Sequence, residues 1–362
     1  MKKTKNIDFY ISSLSGGGAE HVLINLADGF QQRGNNVTIT SLERREQFYT
    51  VPKQIEVFRY DHTKYKGAVS FIKDILAVRK QLKYRADVDV SISFLGRTNM
   101  VLSLASIGLK KKTIICDRNN LAQKYSRIVF AALCRVYSLA DILVVQTNEI
   151  KSVYPQYLQK KIRVLENPLD FVEMDKQCID EAIVKENTII SVGRLEKQKD
   201  YRTLIDAFSL IADKYPEWNI RIFGKGKMQE EIQGWIDGKE LTNRILLCGT
   251  THRPFYEMKK SKIFILSSFF EGFPNVLCEA MYAGLPCIAT SCMSGPRDLI
   301  KDNETGILVS VGDSVQMAQK MELLINSKDE RERLGKNAYV DIQRLESNKV
   351  YVRWLDMIDE SI

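Results

Sequence analysis

The chain is predicted to be an α/β protein built from two doubly wound, Rossmann-like domains, and three observations predict it. At 362 residues it exceeds what one hydrophobic core ordinarily organises, so a division into two units of about 160 to 180 residues is expected. Short apolar runs alternate with helical periodicity in both halves, the pattern of parallel strands with helices on both faces of the sheet. The same order, an apolar run, a glycine-containing loop and an amphipathic helix, opens each half, at Ile7 and again at Thr188.

In the first half, Ile7–Ile11 is a short apolar run and Ser12–Gly18 a flexible loop. Residues 19–32 then place Val22, Leu23, Leu26, Ala27 and Phe30 at helical spacing before Arg33-Gly34 ends the pattern. Strands are expected at 37–40, 88–94, 113–116 and 142–145, with helical stretches between them. Asn167-Pro168 closes this unit, and a polar, acidic stretch from 173 to 186 follows. The second series has strands at 188–192, near 220–223, 245–247, 263–266 and 287–290. The expected domains are 1–168 and 169–345. A last helix over 346–362, carrying Tyr351, Trp354, Leu355 and Ile358, is expected to pack back on the first domain. Two doubly wound domains imply a ligand at the carboxyl ends of the strands, in the crevice between them.

Composition narrows the function. No stretch of 18 apolar residues exists, so no span is expected, and the basic Met1–Lys5 segment precedes too short an apolar run for a signal peptide. The seven cysteines form no C-x-x-C, and the three histidines have no ligand spacing; reduced thiols and no zinc are expected. Through Asn167 there are 27 Lys and Arg against 14 Asp and Glu, whereas the remainder is acidic. A basic half beside an acidic half suggests a negatively charged partner met by the first half, among which nucleic acid, anionic lipid and a phosphorylated substrate all fit.

Three stretches carry chemistry. Ser15-Gly16-Gly17-Gly18-Ala19-Glu20 joins the first strand to its helix; backbone without Cβ atoms can approach a ligand closely, and a helix N-terminus favours an anion. It is not G-x-G-x-x-G, so the dinucleotide fingerprint is absent. At the matching place in the second half stands Gly193-Arg194-Leu195, with Lys199 before the next helix. Two cations at a strand end can clamp a diphosphate, Arg by its planar fork and Lys as a point charge. Phe223-Gly224-Lys225-Gly226 offers another close-approach loop. The third stretch is Glu271-Gly272-Phe273-Pro274-Asn275 through Glu279. Its two carboxylates are eight residues apart, one in a loop and one about two turns into a helix that Asn275 is placed to cap, so both can face one cleft and accept hydrogen bonds from vicinal hydroxyls of a sugar or ribose.

Gly193-Arg194-Leu195 with Lys199, the E-x7-E run from Glu271 to Glu279, Gly284-Leu285-Pro286, Gly-Gly-Ala-Glu at 17–20 and Asn167-Pro168 together resemble the retaining family-four glycosyltransferases of the two-Rossmann (GT-B) type. Ser294–Asp298 followed by Asn303–Gly306 resembles members that build bacterial surface polysaccharides and lipid-linked oligosaccharides. The resemblance spans essentially the whole chain and is strongest from 188 to 312. It implies that Arg194 and Lys199 hold a donor diphosphate and Glu279 the ribose. Glu271 and the backbone of Gly272, Phe273, Pro274 and Asn275 would hold the transferred sugar, and Gly193, Gly224, Gly16 and Gly17 would approach the donor closely. Such enzymes need no metal, and Asp87-Val88-Asp89, at the start of a strand, reads as structural. Many relatives carry a His after the strand at 113–116; here Cys116-Asp117-Arg118-Asn119-Asn120 stands there, which makes Arg118 or Asn119 the candidate contact to donor or acceptor.

The reading is a metal-independent, retaining transferase that moves a UDP-linked hexose or N-acetylhexosamine to a lipid-diphosphate-linked acceptor. It would work in the cytoplasm, peripherally on the inner membrane face. The basic amphipathic pattern at 69–85 fits an anionic bilayer or a lipid diphosphate. Its apolar set is Phe71, Ile72, Ile75, Leu76, Val78 and Leu82, and Lys73, Arg79, Lys80, Lys83 and Arg85 supply charge. An ordinary sheet-packed helix is the alternative for that segment. The helix at 124–137, with Arg127 and Arg135, poses the same question. Competing readings are a two-Rossmann sugar-nucleotide epimerase, a nicotinamide-dependent oxidoreductase and a basic nucleic-acid-binding protein. The absent fingerprint counts against the oxidoreductase, and the absence of a basic stripe with stacking aromatics counts against nucleic acid.

Overall fold

The computed structural model describes residues 4–15, 17–43, 46–60, 65–118, 121, 125–179 and 182–360. Two compact units are present: Met1–Pro168 together with Ser347–Ile362, and Leu169–Glu346.

Among the described residues, the first unit holds a seven-stranded parallel sheet of order β3-β2-β1-β4-β5-β6-β7. The strands are β1 Asn6–Ile11, β2 Asn36–Ser41, β3 Glu56–Arg59, β4 Val90–Phe94, β5 Lys112–Cys116, β6 Ile142–Val145 and β7 Ile162–Val164. Alternation along β1 explains how one strand serves two layers: Ile7, Phe9 and Ile11 enter one core and Tyr10 the other. The first core is closed by the helix Gly18–Gln31 and by the helix Ser347–Asp359, whose Val350, Tyr351, Trp354 and Ile358 are buried. Gly29 permits that contact, since a Cβ there would lie 2.3 Å from the Tyr351 ring. The second core lies beneath the helices Gly67–Tyr84, Gly96–Ala105 and Arg127–Tyr137.

The second unit has a six-stranded parallel sheet, order β10-β9-β8-β11-β12-β13, among the described residues. Its strands are β8 Thr188–Val192, β9 Asn219–Phe223, β10 Ile245–Leu247, β11 Ile263–Leu266, β12 Cys287–Thr290 and β13 Ile307–Val309. Strand order reverses beside β8, between β8 and β11, so the loops that leave these two strands diverge and open a crevice at their carboxyl ends.

The two doubly wound sheets agree with the expected fold class. Three strands, β3, β7 and β13, were not foreseen from the sequence; each is an edge strand of three or four residues. The expected strand at 88–94 begins only at Val90; just before it, Asp89 Oδ2 accepts the Asn6 backbone N–H at 2.8 Å while the Asp89 N–H donates to Asn6 O at 2.9 Å. That contact gives the Asp87-Val88-Asp89 segment a structural task.

Candidate functional site

The crevice of the second sheet is built by two loops. One leaves β8 and runs from Gly193 to Lys199; the other leaves β11 and reaches Pro274. They are tied together by Ser267 Oγ donating to Lys199 O at 2.8 Å, Phe269 N–H to Gln198 O at 2.8 Å, and Gln198 Nε2 to Phe270 O at 2.8 Å. The lashing brings Lys199 Nζ to 2.7 Å from Glu271 Oε1, with 12% and 7% of the side chains exposed. Ser268 Oγ donates to the same carboxylate oxygen at 2.6 Å. The Glu271 carbonyl accepts from Ser294 Oγ at 2.6 Å, fixing the loop from its other side.

Glycine makes the neighbouring cradle possible. At Gly224 φ is +148°, and a Cβ would stand 1.9 Å from Gly193 O, so the loops after β8 and β9 touch through bare backbone. A cavity of about 310 Å³ opens beside this contact, lined by Gly193, Arg194, Gly224, Lys225, Thr250 and Thr251 among others. Arg194 is exposed there and its Nη2 donates to Gln198 Oε1 at 3.3 Å. Gln198, Ser268, Thr250 and Thr251 were not among the residues singled out from the sequence. Thr250 and Thr251 follow β10, so the rule that ligands gather at strand carboxyl ends was the available signal.

Glu279 lies in the helix Asn275–Tyr282. The helix starts at Asn275 itself, with Pro274 at the cap position and no side-chain cap bond, so the expected capping by Asn275 is corrected: proline's fixed φ of −79° already sets the entry. Pro274 packs where Gly295 leaves room, since a Cβ at Gly295 would fall 2.6 Å from Pro274 Cδ. Gly272, Phe273 and Asn275 are half-buried around it. Burial alone pushes the Glu279 carboxyl up to about 7, and no protein hydrogen bond or ion pair to it occurs among the described residues. A crowded carboxyl without a protein partner is suited to accept hydroxyl donors from a ligand.

In the first unit, Gly17 precedes the helix Gly18–Gln31, and the Glu20 carboxylate occupies the space that a Cβ at Gly17 would take, with Oε2 2.4 Å away. Gly16 and Asn119 lie outside the described residues. Arg118 directly follows β5 and is buried, with 8% exposed. Its Nη1 donates to Asn167 Oδ1, and its guanidinium stands 4.6 Å from the centre of the Phe94 ring. Nε and Nη2 donate to no acceptor among the described residues. Burial lowers the Arg118 pKa, opposed by the Cys116 thiol and Asp117.

Of the four basic residues singled out on the helix Gly67–Tyr84, Arg79 is committed to the fold: its Nη1 donates to Ala105 O at 2.8 Å and Ile107 O at 2.7 Å, closing the C-terminus of the helix Gly96–Ala105. Lys73 covers the Tyr65 ring at 3.9 Å, while Lys80 and Lys83 are exposed. The apolar set splits. Val78 and Leu82 are buried, whereas Ile72 and Leu76 are 55% and 61% exposed. No described helix is long and apolar enough to cross a membrane, and no described group of three or more His, Cys, Asp or Glu is placed to hold a metal ion.

Comparison with known proteins bears on the family and the fold. The family described as Glycosyltransferase Family 4 matches residues 16–172, and Glycosyl transferases group 1 matches 175–341. A Campylobacter jejuni protein is 33% identical across 98% of both chains; it is described as a GalNAc-alpha-(1->4)-GalNAc-alpha-(1->3)-diNAcBac-PP-undecaprenol alpha-1,4-N-acetyl-D-galactosaminyltransferase. A second protein from that organism, an N-acetylgalactosamine-N,N'-diacetylbacillosaminyl-diphospho-undecaprenol 4-alpha-N-acetylgalactosaminyltransferase, is 26% identical over 89% of this chain and 90% of its own. Among solved structures, the Anabaena protein HepE in complex with UDP and glucose superposes with a TM-score of 0.80 at 17% identity, covering 98% of this chain and 100% of that one. The lipopolysaccharide outer core galactosyltransferase WaaB, in its apo form, gives 0.78 at 21% identity over 99% and 100%.

Proposed function

Because the chain belongs to the family-four glycosyltransferases, we propose that it moves a hexose or N-acetylhexosamine from a UDP-linked donor to a lipid-diphosphate-linked saccharide, with retention at the anomeric carbon. The observation that carries the reading is the Lys199–Glu271 pair, held at 2.7 Å beside the glycine cradle of Gly193 and Gly224.

In this reading the diphosphate lies against Gly193 and Gly224, where no Cβ intervenes, and Arg194 and Lys199 meet its charge. Charge grows on the leaving oxygen as the anomeric C–O bond breaks, so a fixed cation pair favours the transition state more than the ground state. Glu271 keeps Lys199 oriented and offers its second oxygen to a hydroxyl of the transferred sugar. Glu279 accepts from the ribose hydroxyls. The acceptor hydroxyl attacks the anomeric carbon from the face that the diphosphate leaves; its oxygen forms the new bond, the electron pair of the broken bond goes to the leaving phosphate oxygen, and that oxygen takes the acceptor's proton. No covalent enzyme intermediate and no metal ion is invoked. In the first unit Arg118, buried with two uncommitted donors, is assigned to donor or acceptor.

A lipid-linked acceptor calls for a protein that works at a bilayer. Ile72 and Leu76 face solvent on a helix that also presents Lys80 and Lys83, and Ile128, 84% exposed, begins a second helix with Arg127. Apolar side chains flanked by cations fit an anionic membrane surface. The relatives' described acceptors are the second support.

The test is a thermal-shift panel with UDP, GDP, ADP and NAD on the wild type and Glu279→Ala. UDP at about a hundredfold over Kd adds roughly 2.7 kcal/mol of stability. A UDP shift abolished in Glu279→Ala supports the reading; a shift with NAD alone, or none with any nucleoside diphosphate, overturns it. Retention is read from the anomeric configuration of the product by NMR.

A further inference from the structure

We propose that the second unit carries a separate binding site for a compact polyanion of the phosphate or diphosphate class, formed by Lys185, Lys262, Lys328 and Arg331. These side chains line a cavity of about 230 Å³ whose remaining wall is the Gly284–Pro286 turn and Glu332. Lys262 immediately precedes β11 and Pro286 immediately precedes β12, so the cavity stands at the amino edge of the sheet. The Gly193–Gly224 cradle stands at the carboxyl edge. The two sites are distinct, and this proposal does not depend on the identity of the donor.

The charge arrangement is unbalanced. Four cations converge and one carboxylate lines the same wall, with Glu332 Oε1 3.5 Å from Lys328 Nζ. The nearby Glu186 supplies no relief, since it is already paired with Arg221 at 2.8 Å and Lys260 at 3.1 Å. The 15-residue helix Lys328–Ile342 also begins here, and its first turns hold Lys328 and Arg331, at the end where the backbone dipole disfavours cations and favours anions. Burial, then the neighbouring cations Lys259, Arg331 and Lys262, lower the Lys185 pKa, with Glu332 opposing them. Two of the four cations are held in place by the fold. Lys262 Nζ donates to Asn187 Oδ1 at 2.5 Å, Arg331 Nη1 donates to Ile325 O at 2.9 Å, and both cations lie against the buried Trp218 ring at 5.8 and 5.7 Å. Two cations held by the fold, with the exposed Lys185 and Lys328 beside them, leave a positive charge that an anion offsets. The volume is below the range of about 300–1,000 Å³ typical of drug-sized ligands, which selects a small, highly charged group.

The test is calorimetric titration of inorganic diphosphate, with inorganic phosphate alongside, into the protein saturated with UDP. Diphosphate binding is expected to persist under UDP, to weaken at least tenfold in Lys185→Ser/Lys328→Ser, and to tighten severalfold in Glu332→Gln. The same charge loss placed remotely, in Lys53→Ser/Lys110→Ser, is expected to change it less than twofold. Binding that UDP abolishes, or that the remote pair weakens as much as the local one, overturns the proposal. A lipid source is separated by phosphatidylcholine vesicles carrying phosphatidic acid. Vesicle retention lost in Lys185→Ser/Lys328→Ser, without heat from inorganic diphosphate, would assign the cations to a lipid headgroup and overturn the soluble ligand.

Discussion

Lys199 and Glu271 form an ion pair at 2.7 Å in which neither side chain has much access to water. The pair joins the loop after β8 to the loop after β11, so it has both a structural and a proposed functional duty, and these separate experimentally. Lys199→Met leaves a buried carboxylate without its cation, which costs on the order of 3–5 kcal/mol. Lys199→Met/Glu271→Gln removes both charges and is expected to recover most of that stability in urea unfolding. Transfer activity is expected to stay lost in both variants. Recovery of activity in the double variant would reduce the pair to a loop fastener.

Gly224→Ala tests the cradle. The new methyl group would arrive 1.9 Å from Gly193 O, in a backbone conformation that side chains rarely adopt, so the peptide at Gly193 must move. The expected result is at least a tenfold rise in the Kd for UDP, with a loss of roughly 1–3 kcal/mol in unfolding free energy. A variant that binds UDP as tightly as the wild type would detach the donor from this contact.

What was legible in the sequence follows from burial. Strands inside the sheets announce themselves as apolar runs because both faces are covered: Ile142–Val145, Thr188–Val192 and Cys287–Thr290 stand where the pattern placed them. Three of the four edge strands were missed: at β3 charge interrupts the run, Glu-Val-Phe-Arg, and β7 and β13 are only three residues long, whereas the edge strand Ile245–Leu247 was placed. The residues of the candidate site divide similarly. Arg194, Lys199 and Glu271 carry charge at loop positions after strands and could be singled out, and Gly224 by its place in a glycine loop. Gln198 acts through contacts that exist only once two loops from strands 75 residues apart in sequence, beginning at Thr188 and Ile263, are laid side by side, whereas Ser268 reaches Glu271 within a single loop whose turn the sequence pattern does not show. Arg79 shows the converse: its charge drew a surface reading, and its actual partners, the carbonyls of Ala105 and Ile107, carry no sequence signal.

The exposed apolar residues make the membrane reading testable. Ile72→Ser/Leu76→Ser removes side chains that contribute little to the core, so unfolding free energy is expected to change by no more than about 0.5 kcal/mol. Co-sedimentation with vesicles rich in phosphatidylglycerol should fall several-fold, and salt should weaken what remains, because Lys80 and Lys83 still act through a screened field. Activity on a water-soluble acceptor analogue should be unchanged. Equal vesicle binding by the double variant would return this helix to an ordinary sheet cover.

Glu279 gives the pH dependence. Burial holds its proton up to a pKa of about 7, above the ordinary carboxyl value of 4.5, so the native state binds that proton more tightly than the unfolded chain does. The stabilising contribution is therefore complete below about 4.5 and is lost as pH rises through 7. Glu279→Gln, which cannot ionise, is expected to match the wild type near pH 5 and to exceed its stability at pH 8. Ligand binding runs the other way. Ribose hydroxyls donate to the ionised carboxylate, so the bound form favours loss of the proton, and UDP affinity should rise about tenfold between pH 6 and pH 8 from this group alone. The phosphates of UDP titrate in the same range, so the quantity to measure is the difference between wild type and Glu279→Gln, by calorimetry in buffers of unlike ionisation enthalpy. Proton release on binding that is present in the wild type and absent in Glu279→Gln assigns the ribose contact to Glu279. Equal proton release in both would move that contact elsewhere and leave Glu279 as a half-buried carboxyl that only costs the fold stability at high pH.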